Sequence, residues 1–461
     1  MILNLMMVCV VSLWMTGCAA RESMTISKDA YVAQMASAVA VAWPSLARQP
    51  GMESETEFFS SAQILVYDGN QAWLVDSAGY KKIDSASVKA LDLPYGYGAF
   101  DKVDWQDRPT VYMGLGEEIP SEEIERVTGA SAGVPYLFLL ATHEAFHFYG
   151  QKGWPVNTDA DDSRATLYPA QIPPRQYRNQ LIRNLIAASQ GESDAFGKAR
   201  YWYGRWKAEY PAEVRRIFFT DVSEGTAQYI ETLAELMAEG YAQYSASWDR
   251  AVTERLSKND KKTKISIDQE SYTLGTLTGN LLDRLGTGWW RSAVQGANPL
   301  EILLSRFKAV PDAGDASLDM KIQEVLERRN QELQPVIGAF VDRVGDFGTL
   351  RLLVPMASLA GSIEVGEQYK VAGFADEIFV DYSARFATVR GSINVVGITT
   401  AITVVESCSN QLSSFLVLLF PEGELPAAIG GRLQMKKDGV DIDVPYPVKS
   451  SSDEKIWCAL T

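Results

Sequence analysis

His143-Glu144-Ala145-Phe146-His147 holds the only two histidines of the 461-residue chain, four positions apart around a glutamate. On an α-helix, residues i and i+4 project from one face about a turn apart. Both imidazoles can then ligate one Zn²⁺ at roughly 2.0–2.1 Å, with the adjacent glutamate facing the same point. The flanking sequence supports the helix: residues 134–142 run into the motif without a breaker, Pro135 suits a helix start and Gly150 closes it. Tyr136, Leu140, His143 and His147 fall on one stripe, which predicts a buried helix. The plain alternative is a pair of hydrogen-bonded core histidines; the intervening glutamate favours the metal.

Zinc in a hydrolytic site takes three protein ligands and keeps an open position. With no third histidine, the remaining ligand must be a carboxylate. Glu224, in Ser223-Glu224-Gly225-Thr226-Ala227-Gln228-Tyr229-Ile230-Glu231, is the leading candidate, with Glu231 and Glu235 as fallbacks. Asp221-Val222-Ser223-Glu224 also reads as a helix N-cap with a glutamate three residues on, a capping box that would engage Glu224 with backbone amides instead.

The length allows two or three domains, and 46% hydrophobic with 10% aromatic residues is ample for packed cores. A formal charge of −15 and a pI near 4.8, without a concentrated basic stretch, exclude a nucleic-acid backbone as partner. Residues 1–17 carry no charged side chain and are too short for a membrane span, which needs roughly 20 apolar residues. Met15-Thr16-Gly17-Cys18 resembles the lipobox of bacterial lipoprotein signal peptides, although Met15 stands where Leu is commonest and no Lys or Arg precedes the apolar run. The resemblance implies a lipid on Cys18 and, from Ala19, outer-membrane sorting facing the periplasm if the source is Gram-negative. A cleaved non-lipidated signal or an uncleaved anchor are the alternatives. Cys408 and Cys458 then remain, as a disulfide candidate or as two buried thiols.

The chain reads as α+β and multidomain: a signal peptide over 1–17, an α/β region over 18–120, a helical part over 121–344 and a β domain over 345–461. A helix from 27 to about 43 should end at Pro44, and 63–67 and 71–75 should form a hairpin through Asp68-Gly69-Asn70. Pro94 to Gly98 reads as loop. The strand 110–113, just before the motif helix, could take an extended peptide by edge pairing. Helical patterns cover 176–210, 223–245, 272–285 and 319–344. Beyond Gly345, short Val/Ile/Phe runs and a tight turn at Lys437-Asp438-Gly439-Val440 predict a separate β-sandwich-like domain.

The pairing of His143–His147 with Glu224-Gly225-x-Ala227-x-Tyr229 resembles the gluzincins, the glutamate-completed zinc peptidases, and in particular the membrane alanyl aminopeptidase family. That resemblance implies a zincin-like catalytic domain, with Zn²⁺ on His143, His147 and Glu224, Glu144 as general base, and Glu231 as acceptor for a ligating histidine. Tyr272-Thr273-Leu274-Gly275 matches the family's Tyr-x-x-Gly helix start, which implies Tyr272 as oxyanion donor. These three segments are a small part of the chain. Residues 148–223 separate His147 from Glu224, far more than in that family, so an aromatic-rich insertion with Tyr201, Trp202, Tyr203 and Trp206 intervenes and could roof the cleft. These rings and Trp289-Trp290 fit a core better than a substrate platform. The family's Gly-x-Met-Glu-Asn amine-binding motif is absent, so aminopeptidase specificity does not carry over. The expected activity is zinc-dependent hydrolysis of a peptide or protein in a lipid-anchored envelope protein. The competing reading is a non-catalytic gluzincin-scaffold lipoprotein for binding or envelope organisation, and a third is hydrolysis of a non-peptide bond.

Overall fold

The computed structural model describes residues 25–129, 132–155, 164–260, 265–286, 288–346, 348–360, 363–388, 390–406, 408, 413–421, 426–446, 448–449 and 455–459. The signal-like segment and Cys18 lie outside them. No helix among the described residues is long and apolar enough to cross a membrane.

Helix α1 (Lys28–Leu46) opens the described chain, with the Ser27 hydroxyl accepting from Ala30 N at 3.2 Å. It runs through Pro44, which was expected to end it. The proline sits in the last turn, where it forfeits one bond to the carbonyl a turn earlier and leaves the rest of the helix intact, and the helix stops two residues later at Leu46. Strands β1 (Gln63–Tyr67), β2 (Ala72–Asp76), β3 (Gly79–Ile83), β4 (Phe100–Trp105) and β5 (Arg108–Gly114) form a sheet in the order β3-β2-β1-β5-β4. The β1–β2 turn is fixed by Asp68, whose Oδ1 accepts from Asn70 N and Gln71 N at 2.8 and 2.6 Å. The strand expected to offer a free edge lies in β5, between β1 (parallel) and β4 (antiparallel). The edge beside the motif helix is β4 instead: five consecutive buried residues of β5 suit an interior strand, whereas β4 is largely half-exposed.

Short helices α2 (Glu53–Thr56), α3 (Ser85–Lys89) and α4 (Ser121–Thr128) fall before, within and after these strands in the chain. The motif helix α5 (Tyr136–Ala145) continues into a π-turn over Phe146–Gly150. The helical pattern of 176–210 divides at Gly191 (φ 91°) into α6 (Ile172–Ser189) and α7 (Ala195–Glu209). Then come α8 (Pro211–Arg216), α9 (Phe218–Ala238), α10 (Ala246–Asp260), α11 (Ile267–Arg284), α12 (Trp290–Val294), α13 (Pro299–Leu304) and α14 (Ala316–Gly345). One core spans α1, the inner sheet face (Ile64, Val66, Trp73, Val111, Met113), α5, α6, α9 and α11, so residues on both sides of 120 belong to one body. Trp202, Tyr203, Trp206, Trp289 and Trp290 are buried in that core; the insertion's rings fill the interior and do not roof a cleft.

The C-terminal region is sheet-rich. Strands β7 (Leu350–Pro355), β8 (Glu364–Val371), β9 (Glu377–Thr388), β10 (Gly391–Val405), β11 (Ser413–Phe420), β12 (Ala427–Ile429), β13 (Arg432–Lys437), β14 (Val440–Pro445), β15 (Val448–Lys449) and β16 (Ile456–Cys458) are joined in one branched sheet. Alternate residues on one face, among them Leu352, Val354, Phe386, Ile393, Leu416 and Ile442, share a core. Asp438 and Gly439 take φ of 47° and 78°, the two left-handed positions of a two-residue hairpin turn. Cys408 and Cys458 are joined in a disulfide with Cα atoms 5.5 Å apart. The region expected to stand separately is stitched to the helices twice. A three-residue strand within the 148–223 insertion, β6 (Thr166–Tyr168), pairs in parallel with β8, and Leu333, Ile337 and Phe340 of α14 pack on Ile378, Val380 and Ala401. That strand is too short to carry a periodic pattern, which is why sequence reading passes over it.

Candidate metal centre

The motif helix is held at both ends from a distance. Pro135 at its N-cap offers no side-chain acceptor, and Glu123 of α4 supplies one: its Oε1 accepts from Tyr136 N at 2.7 Å and from the Tyr31 hydroxyl at 2.8 Å. In mid-helix, Trp43 Nε1 donates to Thr142 Oγ1 at 2.9 Å. At the far end the backbone widens into the π-turn, closed by Gln151 N donating to Phe146 O at 2.8 Å. Such a bulge inserts an extra residue per turn and re-aims the side chains in it, here including His147.

Two side chains set the protonation of the rings. His143 Nδ1 lies 3.1 Å from Glu231 Oε2, a carboxylate that only accepts, so Nδ1 is the donor. His147 Nδ1 lies 2.7 Å from Gln151 Oε1. The Gln151 amide is oriented by its own bonds, since its Nε2 donates to the Ser223 carbonyl at 2.7 Å and to Thr226 Oγ1 at 2.9 Å. Its oxygen therefore faces His147, and His147 Nδ1 is a donor as well. Both Nε2 lone pairs are left pointing inward, 3.0 Å apart, and Glu224 Oε2 is 3.4 Å from each. Three ligand atoms of His143, His147 and Glu224 thus converge among the described residues. A tetrahedral ion bonded at roughly 2.0–2.1 Å separates its ligand atoms by about 3.3–3.4 Å. The donor set suits a divalent ion such as zinc and the two 3.4 Å separations match its geometry, while the two ring nitrogens stand closer than a bound ion would hold them.

Glu224 lies seven residues into α9, whose first residue is Phe218, so the capping-box alternative is overturned. Asp221, its supposed cap, instead accepts from Arg178 at 2.9 and 2.7 Å and from the Ser271 hydroxyl at 2.6 Å. Arg178 is fully buried and also pairs with Glu270 at 2.6 Å, which ties α6 to α9 and α11 together. The crossing of α9 and α11 is backbone on backbone: a Cβ at Gly275 would lie 2.1 Å from Gly225 O. That contact explains both motif glycines, because it brings Glu224 and Tyr272 alongside one another. Tyr272 lies within α11, which starts at Ile267, and its ring stands edge-on to His143 at 5.9 Å. Glu235 pairs with Arg255 at 3.1 Å and takes no part in the centre.

Charge at the centre is uneven. Burial lowers the His143 pKa, but hydrogen bonds to Glu224 and Glu231 outweigh it and raise the value to about 10. Burial acts to raise Glu224, yet His143 and His147, with Arg164, hold its carboxyl well below the ordinary range. The converging lone pairs thus call for a positive charge, which in the chain alone is a proton on His143. Glu144 is half-buried and has no hydrogen-bond or ion-pair partner among the described residues. Burial raises its carboxyl above the usual value, against the pull of both histidines.

The structure therefore gathers His143, Glu144, His147, Glu224, Glu231 and Tyr272 in one place. Sequence reading missed two members. Gln151 stands four residues after His147, a helical spacing that could have flagged it. Arg164, which donates to Glu224 Oε1 at 3.0 Å, lies in the insertion and carries no local signal. Comparison of the chain with protein-family models, with curated proteins and with solved structures finds no match.

Proposed function

We propose that this chain is a zinc-dependent peptide hydrolase of the gluzincin type, exported and lipid-anchored through Cys18, with a zincin-like catalytic body. The observation that carries the reading is the contrast within the motif: two histidines and Glu224 turn their lone pairs to one point, while Glu144 has no partner among the described residues. Zinc held by His143, His147 and Glu224 would supply Lewis acidity, lowering the pKa of water towards roughly 7 and polarising a carbonyl.

The chain's own groups account for the rest. Glu144, with its raised pKa, takes a proton from the attacking water and passes it to the leaving amine, work typically worth about 10²–10⁴ in rate. Tyr272 donates its hydroxyl proton to the oxyanion. Glu231 and Gln151 hold the two rings in the tautomer that presents Nε2. An extended peptide could pair with β4, an edge strand among the described residues, whose Phe100 meets Phe148 of the π-turn at 6.5 Å. On the side of the C-terminal sheet, a cavity of about 140 Å³ between Arg164, Asp268, Arg329 and Tyr369 leaves room for more of the substrate. A non-catalytic scaffold has no use for an unpartnered, half-buried carboxylate beside the ligands, which is why turnover is preferred.

The test is Glu144→Gln in zinc-reconstituted protein assayed on a broad peptide library. Wild type should cleave, and the variant should keep its zinc and lose at least about 10² in rate. A variant as active as wild type would reject the mechanism.

A further inference from the structure

Arg164 lies two residues before the Thr166–Tyr168 strand and reaches into the metal centre. Its Nη1 donates to Glu224 Oε1 at 3.0 Å, its Nη2 to the Tyr272 hydroxyl oxygen at 3.1 Å, and its Nε and Nη2 to the two oxygens of Asp268 at 3.1 and 3.0 Å. A guanidinium only donates. With Oε1 engaged by the guanidinium, Glu224 presents Oε2 to the centre, the atom that lies 3.4 Å from both Nε2 atoms. Because Tyr272 accepts from Arg164, its own proton is free to be given elsewhere.

The position of Arg164 is set by the C-terminal sheet. Thr166, Leu167 and Tyr168 pair with Tyr369, Lys370 and Val371 of β8. Between strand and arginine, the Ala165 carbonyl accepts from Arg216, which is itself buried. Asp268, in the first turn of α11, grips the guanidinium with both oxygens in the planar, two-pronged fashion that suits arginine and not lysine.

We propose that Arg164 is a positioning residue of the metal centre: it fixes Glu224 as a single-oxygen ligand and leaves the Tyr272 proton free for substrate, and the C-terminal sheet serves the site by holding it there. The inference rests on the metal reading above and adds to it a role for the sheet that lies beyond binding substrate.

The test uses the full mature chain loaded with cobalt(II), whose visible absorption is intense when four-coordinate and weaker when five-coordinate, alongside zinc titrations. Arg164→Gln frees Glu224 Oε1, so the variant should show weaker cobalt absorption, roughly tenfold poorer zinc affinity, and a fall in kcat with little change in KM. Arg164→Lys should recover part of kcat and none of the spectrum, because an ammonium cannot span Glu224 and Tyr272 in one plane. Asp268→Asn keeps the guanidinium and loosens it, and should move the spectrum in the same direction by less; it stands in if Arg164→Gln fails to fold. A wild-type spectrum and zinc affinity in both Arg164→Gln and Asp268→Asn would overturn the proposal while leaving the metal reading intact. Wild-type protein that binds neither zinc nor cobalt would overturn both.

Discussion

Gly275→Ala is the substitution whose outcome depends most on how α9 and α11 meet. Its Cβ would stand 2.1 Å from Gly225 O and 2.2 Å from Gly225 Cα, and those atoms are backbone, so no rotamer change can relieve the clash. The helices must part by about 1.3 Å to restore ordinary contact. Overpacking of this kind costs about 1–3 kcal/mol, and a backbone contact belongs at the upper end. Alanine returns about 0.8–1 kcal/mol of helix propensity. The net loss is about 1–2 kcal/mol, roughly a 5–30-fold fall in the folding constant. Parting the helices also pulls apart Glu224 and Tyr272, which Arg164 bridges, and so disturbs the placing of the Glu224 ligand; zinc affinity should fall roughly tenfold. Gly204→Ala is the control: it sits inside α7 with nothing within 4 Å of the added carbon, and it should stabilise by about 0.5–1 kcal/mol. Urea unfolding and zinc titration of both variants read these effects. Gly275→Ala protein as stable as Gly204→Ala, with wild-type zinc affinity, would refute the reasoning.

Gln151→Ala removes the acceptor that fixes the His147 tautomer and should weaken zinc binding by about 10–100-fold in a chelator competition; unchanged affinity would mean that the ring orients itself. In metal-free protein, His143 is raised from 6.5 to about 10, so its contribution to stability is complete below pH 6.5 and is lost as pH climbs through 10. Glu224 is lowered, so its contribution is present above pH 4.5 and is lost on acidification below that. Metal-free melting temperatures should therefore decline on the alkaline side, and the zinc-loaded protein should not follow, because zinc replaces the His143 proton. Calorimetry at pH 8 in buffers of different ionisation enthalpy should find at least one proton released per zinc bound, the one displaced from His143, with a further contribution from ionisation of zinc-held water. Parallel alkaline declines, with no proton release, would contradict this.

The contrast between what could and could not be read from the chain has a physical basis. His143, His147 and Glu224 announce themselves through residue type and helical spacing, and these are the residues whose ligand atoms converge. Gly225 and Gly275 belonged to quoted motifs, but their purpose is visible only where two helices cross. The capping pattern at 221–224 misled because an acidic residue three before a glutamate is common inside a helix whose Asp221 serves a buried arginine. Helix ends shifted for similar reasons: Ser266 caps α11 well before Tyr272, and Pro44 is tolerated in a last turn. The link between the C-terminal sheet and the metal centre was illegible, since it depends on pairing between residues 166–168 and 369–371. Long-range pairing of so short a strand leaves no periodic trace.

The central claim is that His143, His147 and Glu224 hold a single zinc. Elemental analysis of purified, zinc-reconstituted wild type and Glu224→Ala tests it most directly. The account predicts one zinc per wild-type chain, with the ion largely lost from the variant at equal free zinc. Wild-type protein without zinc after reconstitution, or Glu224→Ala protein that keeps it as tightly, would contradict the account.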